Sequence, residues 1–281
     1  MNPHLGPLPK GEGKNSISVF FPAYNDGGTI GSMVITAIQT LREIADDYEV
    51  LVVHNGSTDY THEVLRELQQ LYPEELRVID YPHPLGYGGA LRVGFASCTK
   101  DLVFYTDGDA QYDPREMRAL VEAFGPGVDV VNGYKLSRGD PFHRRLIGRV
   151  YHWGVKALFG LRLKDVDCDF RLMRRSVFER ITLRSNSGVI CVELMKKLQD
   201  GGFGIEQVPV HHYHRAYGGS QFFNFPRIYR SLRGLLGLWK ELVLLKRLGR
   251  ESQQASGPAD LGLPENTRRA APLRDSSLRS K

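Results

Sequence analysis

The sequence is poor in cysteine. Only Cys98, Cys168 and Cys191 occur in 281 residues, and they stand far apart. None belongs to a Cys-x-x-Cys pair, so the pattern indicates neither a cysteine-based zinc site nor a dithiol redox motif. An odd number of scattered cysteines also gives no sign of a disulfide framework. This usage is typical of proteins that work in a reducing compartment.

Long apolar runs are missing as well. No uninterrupted run approaches the roughly 20 residues that a membrane-spanning helix requires. Residues 1–15 are rich in Gly and Pro and lack the apolar core of a signal peptide. Residues 251–281 are rich in Ser, Pro, Gly, Ala and Arg without apolar periodicity. We expect both ends to be disordered and the protein to be cytoplasmic.

Two common phosphate-binding motifs are also absent. The sequence contains no Gly-x4-Gly-Lys-Ser/Thr, which argues against a P-loop NTPase. Gly86-Tyr87-Gly88 is a lone Gly-x-Gly that lacks the third glycine of a dinucleotide-binding fingerprint. An oxidoreductase is therefore disfavoured.

What the sequence does contain is an alternation of apolar runs and amphipathic stretches. The apolar runs predict six strands, at residues 16–24, 49–53, 76–81, 102–107, 128–134 and 205–213. Helices are predicted after each of the first four strands, then as a helical pair at 142–161 and as short helices at 174–181 and 189–200, with an acidic turn at 163–171. This alternation indicates an α/β fold, with a mostly parallel, Rossmann-like sheet and helices on both faces. Ligands of such sheets bind at the carboxyl ends of the strands.

The fourth predicted strand ends in two carboxylates one residue apart, followed by an amide. Asp107, Asp109 and Gln111 offer the hard oxygen ligands that Mg²⁺ or Mn²⁺ prefers. Such an ion takes one or two carboxylates from the protein and completes its shell with water and phosphate oxygens. The alternative is a polar turn in which an Asp caps the helix that starts near Pro114.

Four short motifs at four strand ends together resemble those of family 2 glycosyltransferases of the GT-A fold. They are Phe21-Pro22-Ala23-Tyr24-Asn25, Asn55-Gly56-Ser57-Thr58-Asp59, Gly86-Tyr87-Gly88-Gly89-Ala90 and Asp107-Gly108-Asp109-Ala110-Gln111. Within that family the chain most resembles the polyprenyl-phosphate (dolichyl-phosphate type) sugar transferases. The marks of that subgroup are the Asp-x-Asp-x-Gln motif, Asp169-Phe170-Arg171, and the segment from Arg215 to Ser220. The resemblance predicts one GT-A domain over residues 16–221.

The resemblance implies a UDP- or GDP-sugar donor, a divalent metal (Mg²⁺ or Mn²⁺) on its diphosphate, and inversion at the anomeric carbon. The implied nucleotide-sugar-binding residues are Pro22, Ala23, Tyr24, Asn25, Asn55, Gly88, Asp107 and Gly108. The implied metal ligands are Asp107, Asp109 and Gln111. Two loops depart from the usual pattern, with Asn25-Asp26 where Asn-Glu is usual and His54-Asn55 where an Asp pair is common. The identity of the base stays open for this reason.

The acceptor decides whether the reaction needs a general base. A polyprenyl phosphate is already anionic and needs only cations to hold it in line; by resemblance these are Arg171 and Arg215. A hydroxyl acceptor needs a carboxylate to take its proton, and Asp169 is the candidate base. Asp169 could equally be a helix cap that holds Arg171. With Asp109, these residues are the candidate catalytic group; a non-catalytic nucleotide-sugar-binding protein is a further alternative.

Residues 222–250 combine leucines and aromatic residues with seven basic residues and one acid, a net charge of +6. The whole chain carries +5, so the rest sums to about −1. A basic amphipathic helical stretch of this kind indicates peripheral contact with an anionic membrane face. The alternative is a helix that packs its leucines onto the domain or a second subunit. No interleaved aromatic platform supports nucleic-acid binding.

Overall fold

The computed structural model of the chain describes residues 15–136, 142–218 and 225–245, and describes residues 142–150 and 225–228 by their backbone alone. The predicted disorder of residues 1–15 and 251–281 falls outside the described residues, apart from Asn15. The described part of 222–250 begins at Phe225 and ends at Leu245.

One mixed sheet is the centre of the described fold. Its strands are β1 Ser16–Ala23, β2 Asp47–Asn55, β3 Leu76–Tyr81, β4 Leu102–Thr106, β5 Val130–Lys135, β6 Phe170–Arg174 and β7 Ile205–Val210. Their order across the sheet is β3-β2-β1-β4-β6-β5-β7. The predicted α/β class with a mostly parallel sheet is confirmed, because only β6 runs antiparallel to its neighbours.

The helices follow the predicted alternation through the first half of the chain. They are α1 Ile30–Ile44, α2 Thr61–Leu71, α3 Tyr87–Ser97, α4 Met117–Glu122 after a 3₁₀ turn at Pro114–Glu116, α5 Phe142–Phe159, α6 Val177–Arg180, α7 Ile190–Asp200 and α8 Phe225–Trp239. A π-helical turn, Lys240–Leu245, continues α8. The predicted helical pair at 142–161 is instead the single helix α5.

Strand β6 corrects the prediction for residues 163–181. The sequence predicted an acidic turn up to Arg171 and a helix from Arg174, whereas Phe170–Arg174 forms a strand between β4 and β5. Its hydrogen-bonded neighbours on both sides make a strand of five residues stable. Because β6 is antiparallel to β4, its first residue lies beside the last residue of β4, with Phe170 opposite Thr106.

Alternating side chains of the strands build a separate apolar core on each face. In β1, Val19 and Phe21 pack on the face covered by α1, α2 and α4, while Phe20 packs on the face covered by α3, α5, α7 and α8. Both cores are buried, so helices cover the two faces of the sheet as predicted. Polar groups that serve a ligand are therefore left to the edge where the strands end.

Helix α8 buries one apolar side and exposes another. Leu235 and Leu238 pack into the second core, whereas Tyr229 is 67% exposed and Leu236 is 60% exposed. Arg233 is exposed as well. In the residues that the structure describes, no helix combines the length and the apolar character needed to cross a bilayer.

Candidate active site

The first wall of the site is the loop after β1, residues 24–29, which we call the first loop. Asp26 organises it: its carboxylate accepts the Tyr24 N–H at 3.0 Å, and its backbone carbonyl accepts the N–H groups of Thr29 and Ile30 at the start of α1. Asn25 adopts φ +57°, a conformation that asparagine tolerates better than most residues. Pro22 and Ala23 are buried strand residues that lead into this loop.

The loop after β2, residues 55–60, is held tightly against the first loop. The Asn25 N–H donates to Ser57 Oγ at 3.0 Å, and Asn25 Oδ1 accepts the Thr58 N–H at 2.7 Å. Asp59 Oδ2 accepts the Gly27 N–H at 3.1 Å. Each of these hydrogen bonds joins a backbone N–H of one loop to a side-chain oxygen of the other, so the position of this second loop sets the shape of the first.

Asn55 and Gly88, both predicted to bind the nucleotide sugar, make structural contacts here. Asn55 Oδ1 accepts the Leu85 N–H at 2.7 Å and thereby fixes the turn after β3. The Gly88 N–H donates to the Asn186 carbonyl at 3.0 Å, and a Cβ at Gly88 would overlap the backbone of Ser185 and Asn186. Both residues therefore shape the wall of the site.

The loop after β4, residues 107–113, presents the two predicted metal-binding carboxylates. Asp107 Oδ1 accepts the Tyr87 hydroxyl at 2.9 Å, and Asp109 Oδ1 accepts the Gln111 N–H at 3.0 Å. The Gly108 carbonyl accepts the Thr29 hydroxyl at 2.8 Å, which ties this aspartate loop to the first loop. Asp113 caps the 3₁₀ turn through the Arg115 N–H, so the cap that the sequence left as an alternative lies after the carboxylates and does not use them.

Negative charge accumulates where these loops meet. Burial raises the pKa of Asp26 to about 6, and the charge of Asp109 acts in the same direction. Burial, together with the charges of Asp169 and Asp109, raises the pKa of Asp107 well above its ordinary value. A bound cation stabilises the ionised form of carboxylates whose ionisation is otherwise disfavoured in this way.

Arg215 brings positive charge to this group from the segment after β7, residues 211–218, which we call the covering segment. Its Nη2 lies 2.6 Å from Asp109 Oδ2, and Asp109 is only 3% exposed. Gln111 anchors the same segment, since its Nε2 donates to the Tyr213 carbonyl and its carbonyl accepts the Tyr213 N–H. Tyr217 lies so close to Gly28 that a Cβ there would overlap its ring.

Asp169 stands next to Asp107 at the start of β6. Its Oδ1 accepts the Tyr105 hydroxyl at 3.1 Å and the Cys191 thiol at 3.1 Å, and it lies 3.3 Å from Arg171 Nη1. The sequence predicted that Arg171 would hold an acceptor phosphate; instead it has no exposed surface. Its guanidinium donates to Tyr105, to Asn132 Oδ1 at 2.7 Å and to the Val166 carbonyl at 2.6 Å. In this conformation Arg171 is engaged entirely by the protein and helps to hold Asp169.

A divalent cation fits the donor set at the end of β4. Asp107 and Asp109 are hard oxygen donors, Gln111 follows them in the same loop, and Arg215 already balances part of the charge at Asp109. Two other groups in the described residues bring three ligand atoms within 4.8 Å of one another, namely His54, His62 and Asp80, and His152, Asp165 and Asp167. Neither group includes Asp107 or Asp109.

The sequence did not indicate several residues that complete this site. Tyr87, Tyr105 and Cys191 come from two helices and a strand, and each holds Asp107 or Asp169. Aromatic and cysteine residues in apolar runs look like ordinary core, so no local pattern distinguishes them. Asp26 stands out in the sequence only as a departure from the motif of the family that the chain resembles.

The arrangement of strands and loops defines a GT-A glycosyltransferase fold. Glucosyl-3-phosphoglycerate synthase from Mycobacterium tuberculosis, in complex with Mn²⁺, UDP and glucosyl-3-phosphoglycerate, superposes with a TM-score of 0.61 at 20% identity. The match covers 81% of this chain and 79% of that one. The same enzyme in complex with Mg²⁺ and UDP gives a TM-score of 0.58 at 22% identity.

The sequence comparison narrows the class to a family. The model of glycosyl transferase family 2 matches residues 18–182, more than half of the chain, and the chain belongs to that family. Similar proteins include undecaprenyl-phosphate 4-deoxy-4-formamido-L-arabinose transferases from Edwardsiella ictaluri, 27% identical over 81% of this chain, and Pseudomonas fluorescens, 26% over 73%. The chain spans 66% and 60% of the length of these relatives.

Proposed function

We propose that the protein transfers a sugar, with inversion, from a nucleotide-diphosphate sugar to a polyprenyl phosphate. The observation that carries the proposal is the convergence of Asp26, Asp107 and Asp109 at the carboxyl edge of β1 and β4. This is the edge at which parallel α/β sheets bind their ligands. Membership of family 2 supports the reaction class, and the undecaprenyl-phosphate transferases named above support the class of acceptor.

In this proposal Asp107, Asp109 and Gln111 hold Mg²⁺ or Mn²⁺ on the donor diphosphate. A bound cation would stabilise the negative charge that the leaving nucleoside diphosphate gains as the glycosidic bond breaks. The first and second loops, including Pro22, Ala23, Tyr24 and Asn25, would surround the nucleotide, whether UDP or GDP. Arg215, which pairs with Asp109 here, would become available to a phosphate if a cation took its place on that carboxylate.

A phosphate acceptor suits the surroundings of Asp169. One of its oxygens already accepts the Tyr105 hydroxyl and the Cys191 thiol, with the Arg171 guanidinium beside them. These contacts fix the orientation of the Asp169 carboxylate and occupy one of its two oxygens. We infer that Asp169 orients the acceptor side of the site and that an anionic acceptor supplies its own nucleophilic oxygen.

In this proposal α8 is the part of the described chain that contacts the membrane. Tyr229, Leu232 and Leu236 form an exposed apolar row on α8, and Arg230 and Arg233 are exposed beside it. Apolar side chains flanked by cations are the composition of helices that lie in the interface of an anionic bilayer. The proposed location is therefore the cytoplasmic face of a membrane, held peripherally.

The decisive experiment is transfer of labelled sugar from a panel of UDP- and GDP-sugars, with Mn²⁺ or Mg²⁺, into butanol-extractable lipid of bacterial membranes. Metal-dependent label in the organic phase is the expected result, and the active donor identifies the base and the sugar together. Label that stays in water as a new glycoside would overturn the lipid acceptor and favour a hydroxyl acceptor, with Asp169 as base. Nucleotide binding without transfer to any acceptor would favour the non-catalytic alternative.

A further inference from the structure

A histidine and an aspartate stand side by side on two strands at the outer end of the site. His54 and Asp80 are register partners across β2 and β3, each at the next-to-last position of its strand. Their side chains meet directly, with His54 Nδ1 2.5 Å from Asp80 Oδ1. His54 is buried, whereas about half of the Asp80 side chain is exposed.

The second ring nitrogen of His54 faces the backbone of the second loop. The Ser57 N–H donates to His54 Nε2 at 3.2 Å. An imidazole nitrogen that accepts an N–H carries no proton, so the proton of neutral His54 lies on Nδ1 and is donated to Asp80. The two contacts require each other: Asp80 selects the tautomer, and that tautomer leaves Nε2 able to accept.

Ser57 passes this constraint on to the first loop. Its hydroxyl accepts the Asn25 N–H at 3.0 Å, and its neighbour Thr58 donates its N–H to Asn25 Oδ1 at 2.7 Å. Asn25 is one of two residues other than glycine with positive φ in the described chain. Asparagine tolerates this conformation better than most residues, and the contacts from Ser57 and Thr58 help to hold it.

We propose that Asp80 and His54 are positioning residues for the nucleotide part of the donor, acting through Ser57 and Asn25. The inference rests on the proposed function, because it assumes that the first loop surrounds a nucleotide. His54 does not read the base in this arrangement, since both of its ring nitrogens are engaged within the protein. The network therefore sets affinity for the nucleotide without selecting between bases.

The same cluster could be read as a metal site, because His62 Nδ1 lies 3.5 Å from Asp80 Oδ2. A metal on His54 Nδ1 would have to displace the proton given to Asp80, and a neutral ring would then carry its proton on Nε2. The Ser57 N–H already occupies that side of the ring. The hydrogen-bonding network thus explains both contacts of His54, and a metal explains only one.

Two amide substitutions separate the contacts of His54. His54→Gln keeps an acceptor near the Nε2 position for the Ser57 N–H, whereas His54→Asn keeps a donor near the Nδ1 position for Asp80. We expect His54→Asn to weaken the binding of UDP or GDP in the presence of Mn²⁺ by about tenfold, and His54→Gln by at most about threefold. The binding is measured by calorimetry on the full chain, and circular dichroism confirms that both variants are folded.

Enzyme kinetics and NMR give readouts that a merely structural role would not move. The Asn variant should raise the KM for the donor and leave kcat within about twofold. The ¹⁵N shifts of the His54 ring should show the Nδ1–H tautomer in the wild type and move towards the Nε2–H tautomer in Asp80→Ala. His62→Gln is the matched control on the second imidazole, and it should leave affinity and tautomer unchanged.

Several results would overturn the inference. Equal affinities of the Asn and Gln variants would show that the Ser57 contact does not matter. A change in preference between UDP and GDP would make His54 a reader of the base. An Nε2–H tautomer in the wild type would remove the network itself. A wild type that binds neither nucleotide would instead count against the proposed function, and the NMR result would still decide on the tautomer.

Discussion

A set of three carboxylates and one separate carboxylate lie at the same edge of the sheet, and the chain surrounds them in different ways. Asp26, Asp107 and Asp109 lie at the ends of β1 and β4, where Arg215 of the covering segment pairs with Asp109. Asp169 lies at the start of β6, where a buried arginine, a hydroxyl and a thiol meet one of its oxygens. The set of three, which we call the first set, carries excess negative charge. The charge of Asp169 is balanced by the neighbouring Arg171.

The difference indicates a division of labour. A group of acids that repel one another is poised to take up a cation, because the cation relieves their repulsion. A carboxylate held by a guanidinium and two further donors is fixed in orientation and has little to gain from a metal. The cation site should therefore be sensitive to the loss of a charge, and the Asp169 site to the loss of a neighbour.

The largest effect should follow from removing one charge of the first set. Asp109→Asn should lower transferase activity by about 10³-fold or more, because it weakens the hold on the metal at the leaving group. The fold should survive, since the amide keeps the shape of the carboxylate and can still accept the Gln111 N–H. Activity is measured as donor-dependent transfer, and folding by circular dichroism and urea unfolding.

The matched control is Asp113→Asn in the same loop. Asp113 pairs with Arg115 at the surface and caps the 3₁₀ turn, a role that asparagine fills as well. It should retain most of the activity. Full activity of the Asp109→Asn enzyme would refute the assignment of Asp109 as a metal ligand.

The next effect concerns the balanced site. Arg171→Met should destabilise the protein by about 3 kcal/mol or more, because it leaves Asp169 near a buried hydroxyl and thiol without the compensating charge. Urea unfolding measures the change. Arg174→Met on the same strand is the control, since Arg174 lies at the surface near Phe124 and Asp129 and should cost under about 1 kcal/mol. Similar losses in the two variants would contradict the comparison.

The first half of the fold could be predicted from the sequence because its information is local. Each strand from β1 to β4 is an apolar run followed directly by its loop and helix, and the predicted and observed bounds differ by at most two residues. The loops that carry Asp107, Asp109 and Asn25 follow from the strand ends. No contact between distant segments is needed to find them.

The region of β6 could not be predicted in the same way. Phe170–Arg174 contains two arginines and no β-branched residue, so it lacks the pattern of a strand. It is a strand because β4 and β5 pair with it, and Arg171 can be buried because Tyr105, Asn132 and Asp169 surround it. Those partners are 39 and 66 residues away for Asn132 and Tyr105, a distance that local patterns do not span.

A smaller effect, the pH dependence of stability that Asp26 causes, tests whether the first set carries excess charge. The folded-state pKa of Asp26 is raised to about 6 from 3.8, so its contribution to stability is present at low pH and is lost as the pH rises through about 6. Asp26→Asn stays neutral throughout. Its stability relative to the wild type should therefore rise by about 1–2 kcal/mol between pH 5 and pH 7.5.

Urea unfolding at the two pH values, without added metal, measures this gap in stability between Asp26→Asn and the wild type. Saturating Mg²⁺ should narrow it at pH 7.5, because a cation beside Asp109 favours the ionised form of Asp26. The exposed Asp46 provides the control, and Asp46→Asn should follow the pH dependence of the wild type. A gap that stays constant from pH 5 to pH 7.5 would mean that Asp26 is ionised throughout and that the first set does not carry excess charge.

The smallest effect tests how well Asp169 is held once a single neighbour is lost. Cys191→Ala removes the thiol that donates to Asp169 Oδ1, while Tyr105 and Arg171 remain on the same oxygen. We expect a loss of about 1 kcal/mol, the sum of one weak hydrogen bond and a small cavity. Cys191→Ser restores a donor in nearly the same volume, so the difference between the two variants isolates the hydrogen bond. In urea unfolding the Ser variant should be more stable than the Ala variant by about 0.5 kcal/mol. A Ser variant less stable than the Ala variant would mean that the apolar pocket around residue 191, and not the hydrogen bond to Asp169, dominates its contribution to stability.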